Sequence, residues 1–400
     1  MNLCITLDAH FERTPDGKVW CDSLYPYFIW QPYLDVFDQV KVIARMKNVD
    51  MASKNFLESG GHRVTFVSMP DFIGPTQFLF KYFEIKRLLQ ENVWATDAVL
   101  SRSINCFDVL LYPILKNRNQ SFGVQVIGNP NAAMTKGAYK SLFRPYLKYR
   151  LTKLLKSMCQ DARVVTYVTR ESLQRFYPPS EKSFSNYFSN VKITPDAIID
   201  RPRQFQSFSQ ERPARIIFVG SLANLRKAPD ILLKAVAKGI GNGLFLHLTF
   251  VGGGREETGL RDLAESLGIS SHVEFLGSLP GVAAVRQCLD RSDLFILPSR
   301  IEGLPRAVVE AMARALPCIG SNTDGIPELL PPEWIVPVND VSALVNAIER
   351  MVKNPEFMNQ ESLKNLNEAK DHYHIDRLSV RQREFLEHLR RVTQERINCN

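Results

Sequence analysis

The chain has 400 residues, with 50 Lys and Arg against 42 Asp and Glu, which gives a formal net charge of +8. Hydrophobic residues make up 45% and charged residues 23%, a balance that excludes a disordered, collagenous or coiled-coil protein. There is no run of about 18 apolar residues to span a bilayer, and the opening residues do not form a secretory signal. Seven Cys without Cys-x-x-Cys spacing predict neither a disulfide framework nor a zinc site. We therefore expect a cytoplasmic protein of two or three domains with reduced thiols.

In the first half, short apolar runs alternate with helical patterns, which favours a parallel sheet with crossover helices. The runs cover 2–7, 40–46, 63–68, 97–101, 108–112, 122–127 and 163–168. We predict one Rossmann-like domain over 1–205. Residues 201–213 are polar, lack periodicity and end in Pro213, which indicates a hinge between domains.

A second βα series begins after this hinge. We predict strands at 215–219, 246–251, 272–276, 294–297 and 318–320, and helices at about 228–239, 256–267, 281–290, 305–315 and 341–353. The pattern predicts a second Rossmann-like domain over 206–370, so the fold class is α/β with two facing domains. The stretch 358–396 is helical by period. We predict a C-terminal helix over 371–400 that crosses back to the first domain, with a solvated tail as the alternative.

The densest group of chemically useful residues follows the fourth strand of this series. Pro305 stands at the predicted first helical position, so the helix should direct open amides into the crevice at the strand's carboxyl end. We expect Gly303 and Leu304 to offer these amides to a phosphate. Glu302 and Glu310 should lie on either side, about 9 Å apart by helical rise, and Glu310, in an apolar setting, should accept hydrogen bonds such as those from ribose hydroxyls. Alternatively, Glu310 is a buried carboxylate bonded to amides or an Arg.

Two weaker groups precede this one in the sequence. Arg226 and Lys227 lie on a loop after the strand at 215–219, where a Lys can contact a diphosphate, although adjacent basic residues on a loop are more often only solvated. Three glycines at 252–254 let the backbone approach a ligand, but they lack Gly-x-Gly-x-x-Gly spacing.

Together these segments resemble the retaining glycosyltransferases of family 4, which have the two-domain GT-B fold. The matching segments, spread over about 212–350, are Val219-Gly-Ser-Leu, Lys227-Ala-Pro-Asp, Val251-Gly-Gly-Gly, Val273-Glu-Phe-Leu-Gly, Leu294-Phe-Ile-Leu-Pro-Ser, Glu302-Gly-Leu-Pro, Glu310-Ala-Met-Ala and Gly325-Ile-Pro-Glu328. The first half is similar to a bacterial branch of that family at His10 to Trp20, Gly128 to Pro130 and Tyr167 to Pro178.

The resemblance implies a nucleotide diphosphate sugar donor, bound mainly by the second domain without a metal or other cofactor. Glu302 would contact hydroxyls of the donor sugar, Glu310 the ribose and Lys227 the leaving diphosphate. The donor-binding set would be Gly220, Ser221, Arg226, Gly253, Gly277, Ser278, Gly303, Leu304, Pro305 and Glu310.

Two positions depart from the family pattern. Ser221 stands where the family has an Arg, a role that Arg226 is placed to take. Asp324 stands where the family has a Gly and adds a negative charge that would alter sugar preference. We predict no metal site, since the His372-x-His374 pair is typical of a solvated helix surface.

The acceptor is expected to bind the first domain. His10 follows the first predicted strand and is a candidate acceptor contact or base, because strand ends face ligands in such domains. Arg13, Arg102 and Asn129 are candidates for further acceptor contacts. Residues 11–37 hold eight aromatic side chains that suit sugar rings, while packing of the first helix onto the sheet is the alternative explanation.

Between Asp108 and Asp161 the sequence has nine basic and no acidic residues, interleaved with Tyr, Phe and Leu. The segment 136–156 therefore predicts peripheral binding to the inner, anionic membrane face, where a lipid-linked saccharide would be met. Nucleic acid binding is the rival, but no groove-reading or RNA-stacking motif accompanies it. An ordinary solvated helix is the third interpretation.

The sequence thus predicts a retaining glycosyltransferase that transfers a sugar to a saccharide acceptor in surface polysaccharide or glycoconjugate assembly. A nucleotide-sugar epimerase on the same fold would need no acceptor. A non-catalytic nucleotide-sugar-binding protein is the alternative from another class.

Overall fold

The computed structural model describes residues 1–22, 25–102, 106–130, 144–189, 191 and 193–399. These residues form two compact units. The first contains 1–130 and 144–188, as described, together with 379–399, and the second contains 189–378.

The first unit contains a nine-stranded sheet. Its strands are β1 (Asn2–Arg13), β2 (Val19–Cys21), β3 (Gln39–Asn48), β4 (Leu57–Glu58), β5 (Val64–Met69), β6 (Ala98–Arg102), β7 (Phe122–Val126), β8 (Val164–Tyr167) and β9 (Phe184–Tyr187). The parallel strands follow the order β5-β3-β1-β6-β7-β8-β9, and β2 pairs antiparallel with the end of β1. Strands β6 and β7 are buried throughout, as expected for a parallel sheet with both faces covered.

The helices of the first unit are α1 (Gln31–Leu34), α2 (Gly74–Phe80), α3 (Tyr82–Asn92), α4 (Asp108–Asn117), α5 (Arg144–Asp161) and α6 (Ser172–Phe176). The strand predicted at 108–112 was wrong, since these residues begin α4. Leu110 and Leu111 recur one turn later as Ile114 and Leu115, and all four are buried on one helical face.

The second unit contains a six-stranded parallel sheet in the order β12-β11-β10-β13-β14-β15. These strands are β10 (Ala214–Val219), β11 (Leu246–Val251), β12 (Val273–Phe275), β13 (Leu294–Leu297), β14 (Cys318–Ser321) and β15 (Ile335–Val336). The five strands predicted in this half are confirmed to within one residue at each end. Counted along the chain, the order is 3-2-1-4-5-6, the Rossmann arrangement, which reverses between β10 and β13.

The later helices are α7 (Pro229–Gly241), α8 (Glu257–Ser266), α9 (Gly281–Asp290), α10 (Arg306–Ala313), α11 (Val341–Val352), α12 (Pro355–Tyr373) and α13 (Ile375–Cys399). The single helix predicted over 358–396 is therefore two helices. His374, between them, has a ψ of 136°, outside the helical region. The backbone of Ile193 accounts for the break, because its N–H donates to Tyr373 and its carbonyl accepts from Ile375.

Helix α13 packs within the first unit from residue 379 onward. Phe385, Leu386 and Leu389 are buried, and the Asn186 side chain donates to the carbonyl of Arg381 at 2.8 Å. Within the part of the chain that the structure describes, no helix combines the length and the apolar content needed to cross a bilayer.

Candidate active site

The residues predicted to bind a donor gather at one edge of the second sheet. Ligands of Rossmann-type sheets bind outside the carboxyl ends of the strands, where the strand order reverses. In this unit the reversal lies between β10 and β13. The loop after β10 carries Lys227 and the loop after β13 carries Glu302, so the topology brings both residues to the same edge.

Lys227 and Glu302 form a direct ion pair there. The Lys227 Nζ lies 2.6 Å from Glu302 Oε1, and the side chains are only 25% and 12% exposed. The hydroxyl of Ser299, on a fully buried residue, donates to the same oxygen at 2.9 Å. Ser299 was missed by sequence analysis, although it directly follows Pro298 at the end of β13. The two residues predicted as catalytic in this half are therefore in contact.

The backbone before α7 sets the position of Lys227. A single 3-10 turn, Leu225–Lys227, is capped by Asn224, whose side chain accepts from the N–H of Arg226 at 3.0 Å. Ala228 then adopts the left-handed conformation with φ of 52°. For a residue other than Gly this costs on the order of 1–3 kcal/mol, and such strain tends to occur at functional sites.

Glycine at position 220 makes room for Lys227. A Cβ built at Gly220 would lie 2.3 Å from Cδ of Lys227. A side chain at position 220 would therefore displace this lysine from its present path across the end of β10. The neighbouring Ser221 accepts from the N–H of Ala223 at 3.2 Å through its hydroxyl, and Arg226 is exposed.

Arg300 ties the two loops together. Its guanidinium makes a bidentate ion pair with the carboxylate of Asp230, with both N–O distances 2.8 Å. Its backbone N–H donates to the carbonyl of Arg226 at 2.7 Å. Because Arg300 is two residues before Glu302 and Asp230 three residues after Lys227, the contacts hold the backbone on both sides of the Lys227–Glu302 ion pair. Sequence analysis missed Arg300, since a pairing across 70 residues has no local signal.

Asp324 also contributes to this site. Its Oδ2 accepts from the backbone N–H of Glu302 at 3.0 Å, and its own backbone has a positive φ of 42°. The carbonyl of Gly303 accepts from the N–H of Gly325 at 2.9 Å. The departure from the family pattern at 324 therefore fixes the loop that carries Glu302.

Three loops meet through the glycines that follow β11. The N–H of Gly252 donates to the carbonyl of Gly277 at 2.8 Å, and the carbonyl of Gly253 accepts from Leu222 at 2.9 Å. A Cβ at Gly254, where φ is +156°, would lie 2.1 Å from the backbone nitrogen of Ala223. The predicted donor residue Gly253 thus lies on a loop bonded to the one after β10, and Gly277 and Ser278 lie on the loop that is bonded to this glycine loop in turn.

The start of α10 differs from the prediction. Pro305 is the N-cap, with extended ψ of 112°, and the first helical residue is Arg306. The prediction that Pro305 opens the helix was wrong, because the chain is still extended there. The open amides of the first turn belong to Arg306, Ala307 and Val308, since the first N–H groups of a helix lack intrahelical acceptors. Gly303 and Leu304 precede this turn.

Glu310 lies on α10 with a side chain that is 24% exposed. Burial raises its pKa, while the positive charges of Arg306 and, to a smaller extent, Arg286 lower it. The Arg306 Nη2 lies 3.6 Å from Glu310 Oε1, a loose ion pair. The carboxylate is therefore held in a partly desolvated place where hydroxyl donors would be favoured partners.

The pKa shift of Glu310 predicts a pH-dependent stability difference. The unfolded carboxyl ionises near its ordinary pKa of 4.5 and the folded one only at higher pH, so the free energy of unfolding falls as pH rises through that interval. Glu310→Gln stays neutral at every pH. The Tm of this variant minus the Tm of wild type should therefore be larger at about pH 8 than at about pH 4.5. Thermal denaturation across this range tests it, with exposed Glu265→Gln as control. A constant difference in Tm would contradict it.

The acceptor-side candidates lie in the first unit, and His10 is inside β1 rather than after the first strand. The prediction ended that strand at residue 7, but β1 continues to Arg13 past a shift in pairing register between Thr6 and His10. The His10 Nδ1 lies 2.7 Å from Oδ1 of Asp71, a partner that sequence analysis missed. Asp71 is the second residue after β5, and this position just past a strand end is the signal that could have identified it.

The other three acceptor-side candidates each have a different partner within the first unit. Arg102 ends β6 and lies 5.4 Å from the centre of the Tyr25 ring, and Asn129 accepts from the hydroxyl of Tyr177 at 2.6 Å. Arg13 donates to the carbonyl of Phe66 at 3.4 Å. His10 and Arg102 lie on β1 and β6, between which the order of the first sheet reverses.

Several aromatic side chains in 11–37 pack in the interior. Phe11, Trp30, Tyr33 and Phe37 are buried, and the Trp30 indole donates to the carbonyl of Ser59 at 3.1 Å. Packing therefore explains these four residues.

Among the described residues, no group of three His, Cys, Asp or Glu is arranged to hold a metal ion.

This architecture and site define a class of proteins. The two α/β units form the GT-B fold of glycosyltransferases, and residues 200–371 match the family described as glycosyl transferases group 1. The match falls within the second unit. The matched residues include the whole predicted donor-binding set.

Two relatives show how far the similarity extends. Protein CapJ of Staphylococcus aureus is 24% identical over 392 residues, which cover 98% of this chain and 96% of CapJ. The amylovoran biosynthesis glycosyltransferase AmsK of Erwinia amylovora is 30% identical over 149 residues, 35% of this chain and 36% of AmsK.

Solved structures share the fold over nearly the whole chain. Sucrose-phosphate synthase from Thermosynechococcus elongatus has a TM-score of 0.70 and 12% identity, covering 97% of this chain and 99% of that one. HepE of Anabaena, in complex with UDP, has a TM-score of 0.62 and 14% identity, covering 96% and 99%. At these identities the likeness concerns the fold.

Proposed function

We propose that this chain is a retaining, metal-independent glycosyltransferase that moves a sugar from a nucleotide diphosphate sugar to a saccharide acceptor. The observation that carries the proposal is the 2.6 Å ion pair between Lys227 and Glu302, where the order of the second sheet reverses. A cation that can bind the diphosphate lies next to an acid that can bind sugar hydroxyls, which is the arrangement needed on the two sides of the bond between diphosphate and sugar. The complex of HepE with UDP supports a nucleotide diphosphate as ligand of this fold.

In the donor complex, the diphosphate replaces Glu302 as the partner of Lys227. The ammonium moves from Glu302 to the phosphate oxygens, and the released carboxylate accepts hydrogen bonds from hydroxyls of the donor sugar. The open amides at the start of α10 favour negative charge in the same place. Glu310, five residues into that helix, holds the ribose. Arg300 and Asp230 keep both loops in register during this exchange.

The reaction breaks the bond between the anomeric carbon and the diphosphate oxygen. As the sugar becomes oxocarbenium-like, negative charge grows on the leaving oxygen, where Lys227 and the helix amides stabilise it. The acceptor hydroxyl attacks from the face that the diphosphate leaves, which retains the configuration. Its proton passes to the departing phosphate oxygen, so no metal and no protein base are required.

We propose surface polysaccharide or glycoconjugate assembly as the setting, with a lipid-linked saccharide as acceptor at the cytoplasmic membrane face. The similarity to the amylovoran biosynthesis enzyme supports the polysaccharide class. Helix α5 supports the location, because Arg150 and Lys153 are exposed beside the exposed Tyr146 and Tyr149. Residues 136–143 of the predicted membrane segment lie outside the described residues.

The test is a thermal-shift screen with UDP, GDP and ADP and their sugars. Ligand binding stabilises the folded state by RT ln(1 + [L]/Kd), about 2.7 kcal/mol at a hundredfold excess over Kd. We expect one nucleotide to raise Tm and Glu310→Ala to abolish that rise, with exposed Lys234→Ala on α7 as control. If no diphosphate shifts Tm, the proposal fails. Conversion of the donor sugar without an acceptor would favour the epimerase instead.

A further inference from the structure

The first unit carries exposed apolar side chains that its own packing does not use. Ile73, Leu79, Phe80 and Phe83 are 76%, 67%, 86% and 82% exposed and lie within eleven residues of the chain. We call these four residues the apolar rim. Exposed apolar side chains grouped in this way mark an interaction surface.

Helix α2 is formed despite presenting these residues outward. None of its seven residues, all of them described, is buried. It is anchored by Phe78, whose ring lies 5.5 Å from that of Phe72 and 6.3 Å from that of Tyr82. The side-chain oxygen of Gln77 accepts from the N–H of Ile73 at 2.8 Å, which fixes the first turn. Leu79 and Phe80 are thus displayed on an ordered helix.

The apolar rim lies at the same edge of the first sheet as the start of helix α5. Helix α3 runs toward β6, and α5 toward β8, so both helices start near the carboxyl ends of the strands. With 18 residues, α5 is about 27 Å long, longer than the strand it leads to, so its first turns extend past that edge. Tyr146 and Tyr149 in these turns are 60% and 61% exposed.

Charge distinguishes the partner that this edge fits. Helix α5 has five Lys or Arg and a single acid, its last residue Asp161. Near the apolar rim, Asp71, Glu84 and Glu91 balance Lys81, Lys86 and Arg87, and Arg87 lies 3.8 Å from Glu91, so the positive charge of this edge comes from α5. The edge is therefore basic overall beside a large apolar group. An anionic bilayer offers both a negative surface and an apolar interior.

A groove beside the apolar rim has the same mixed chemistry. It lies between α3 and α4, has a volume of about 190 Å³, and combines apolar Val109 and Ile114 with the cationic Lys86 and Arg118. Apolar walls next to cations suit a phospholipid, whose phosphate and acyl chains are adjacent. Lys86 is the cation placed to contact a headgroup phosphate, because Arg118 donates to the carbonyls of Val93 and Gln90.

We propose that the apolar rim inserts into the interfacial region of an anionic bilayer, while the cations of α5 contact lipid headgroups. This inference rests on the proposed function, because a lipid-linked acceptor gives the contact its purpose. It adds the segment that penetrates the membrane, 73–83, which differs from the basic segment predicted from the sequence.

The test is flotation of the full-length protein with vesicles of phosphatidylcholine and phosphatidylglycerol, and with phosphatidylcholine alone. We expect binding to the mixed vesicles, and Phe80→Ser/Phe83→Ser should reduce the bound fraction about tenfold or more. The control, Leu363→Ser/Val380→Ser, removes apolar residues that are 47% and 67% exposed elsewhere and should float like wild type. Equal flotation of the rim variant and wild type would overturn the inference.

A reporter variant identifies what covers the rim. Phe80→Trp should show fluorescence quenching by lipids brominated on their acyl chains, whereas the absence of quenching argues against insertion. If sedimentation shows a wild-type dimer that Phe80→Ser/Phe83→Ser dissociates, a second copy covers the rim and the inference is wrong. The nucleotide thermal shift is measured on the same variants. Rim-dependent flotation without nucleotide binding defeats only the enzyme proposal, and the reverse result defeats only this one.

Discussion

Replacing Lys227 by Ala is expected to lower kcat by about 10²- to 10³-fold, because a preorganised charge that stabilises the leaving group is lost. The lysine is the cation in direct contact with Glu302, at 2.6 Å. KM for the donor should change less than kcat, since charge on the leaving oxygen grows mainly in the transition state. Steady-state kinetics with the donor found in the nucleotide screen measures both.

In the same variant, the Glu302 carboxylate loses its cation and keeps Ser299 as the side-chain partner described at Oε1. Because a partly buried charge without its counter-ion is costly, Tm is expected to fall. The double variant Lys227→Ala/Glu302→Gln removes that charge and should recover Tm without recovering turnover. Lys234→Ala, an exposed lysine on the helix that follows, is the matched control and should retain activity. Turnover of Lys227→Ala within about threefold of wild type would refute the leaving-group role.

Replacing Gly254 by Ala should destabilise the second unit by about 3 kcal/mol. Its φ of +156° is a conformation that side chains rarely adopt, and the new Cβ would lie 2.1 Å from the nitrogen of Ala223. Because the atoms that the Cβ meets, in Leu222 and Ala223, belong to the backbone, relief requires the loop after β10 to move away from the glycine loop. Nucleotide binding should weaken along with stability, since that loop leads to Lys227.

Urea denaturation, followed by fluorescence, measures this loss of stability. The control is Gly259→Ala on α8, where a new Cβ meets nothing within 4 Å. Alanine is favoured over glycine in a helix by up to about 1 kcal/mol, so this variant should be as stable as wild type or slightly more stable. If Gly254→Ala unfolds at the same urea concentration as Gly259→Ala, the close approach of the two loops is wrong.

The second half of the fold was predictable from the sequence because its central strands β13 and β14 are buried on both faces. Such strands form short, nearly continuous apolar runs, as in Leu294–Leu297. The same feature misled the prediction at 108–112, where four consecutive apolar residues lie on a helix that buries two of them, Leu110 and Leu111. A run this short does not by itself separate a strand from a buried helical turn.

The candidate site was predictable where its parts are local. Asn224, three residues before Lys227, is a recognisable helix-capping residue, and the resemblance marked Glu302. The Arg300–Asp230 clamp and the His10–Asp71 pair were not predictable, because each joins residues that are 70 or 61 positions apart. Only the strand order of the sheets brings such pairs to one edge.

The assignment of residues 379–399 to the first unit bears on how the protein is made. A ribosome that has completed residue 188 has not yet supplied Phe385, Leu386 and Leu389, which are buried in the finished unit. The amino-terminal unit therefore keeps an uncovered apolar surface until residues 379–399 have been synthesised. A nascent chain of this design would rely on chaperones for longer than one whose units were each encoded without interruption.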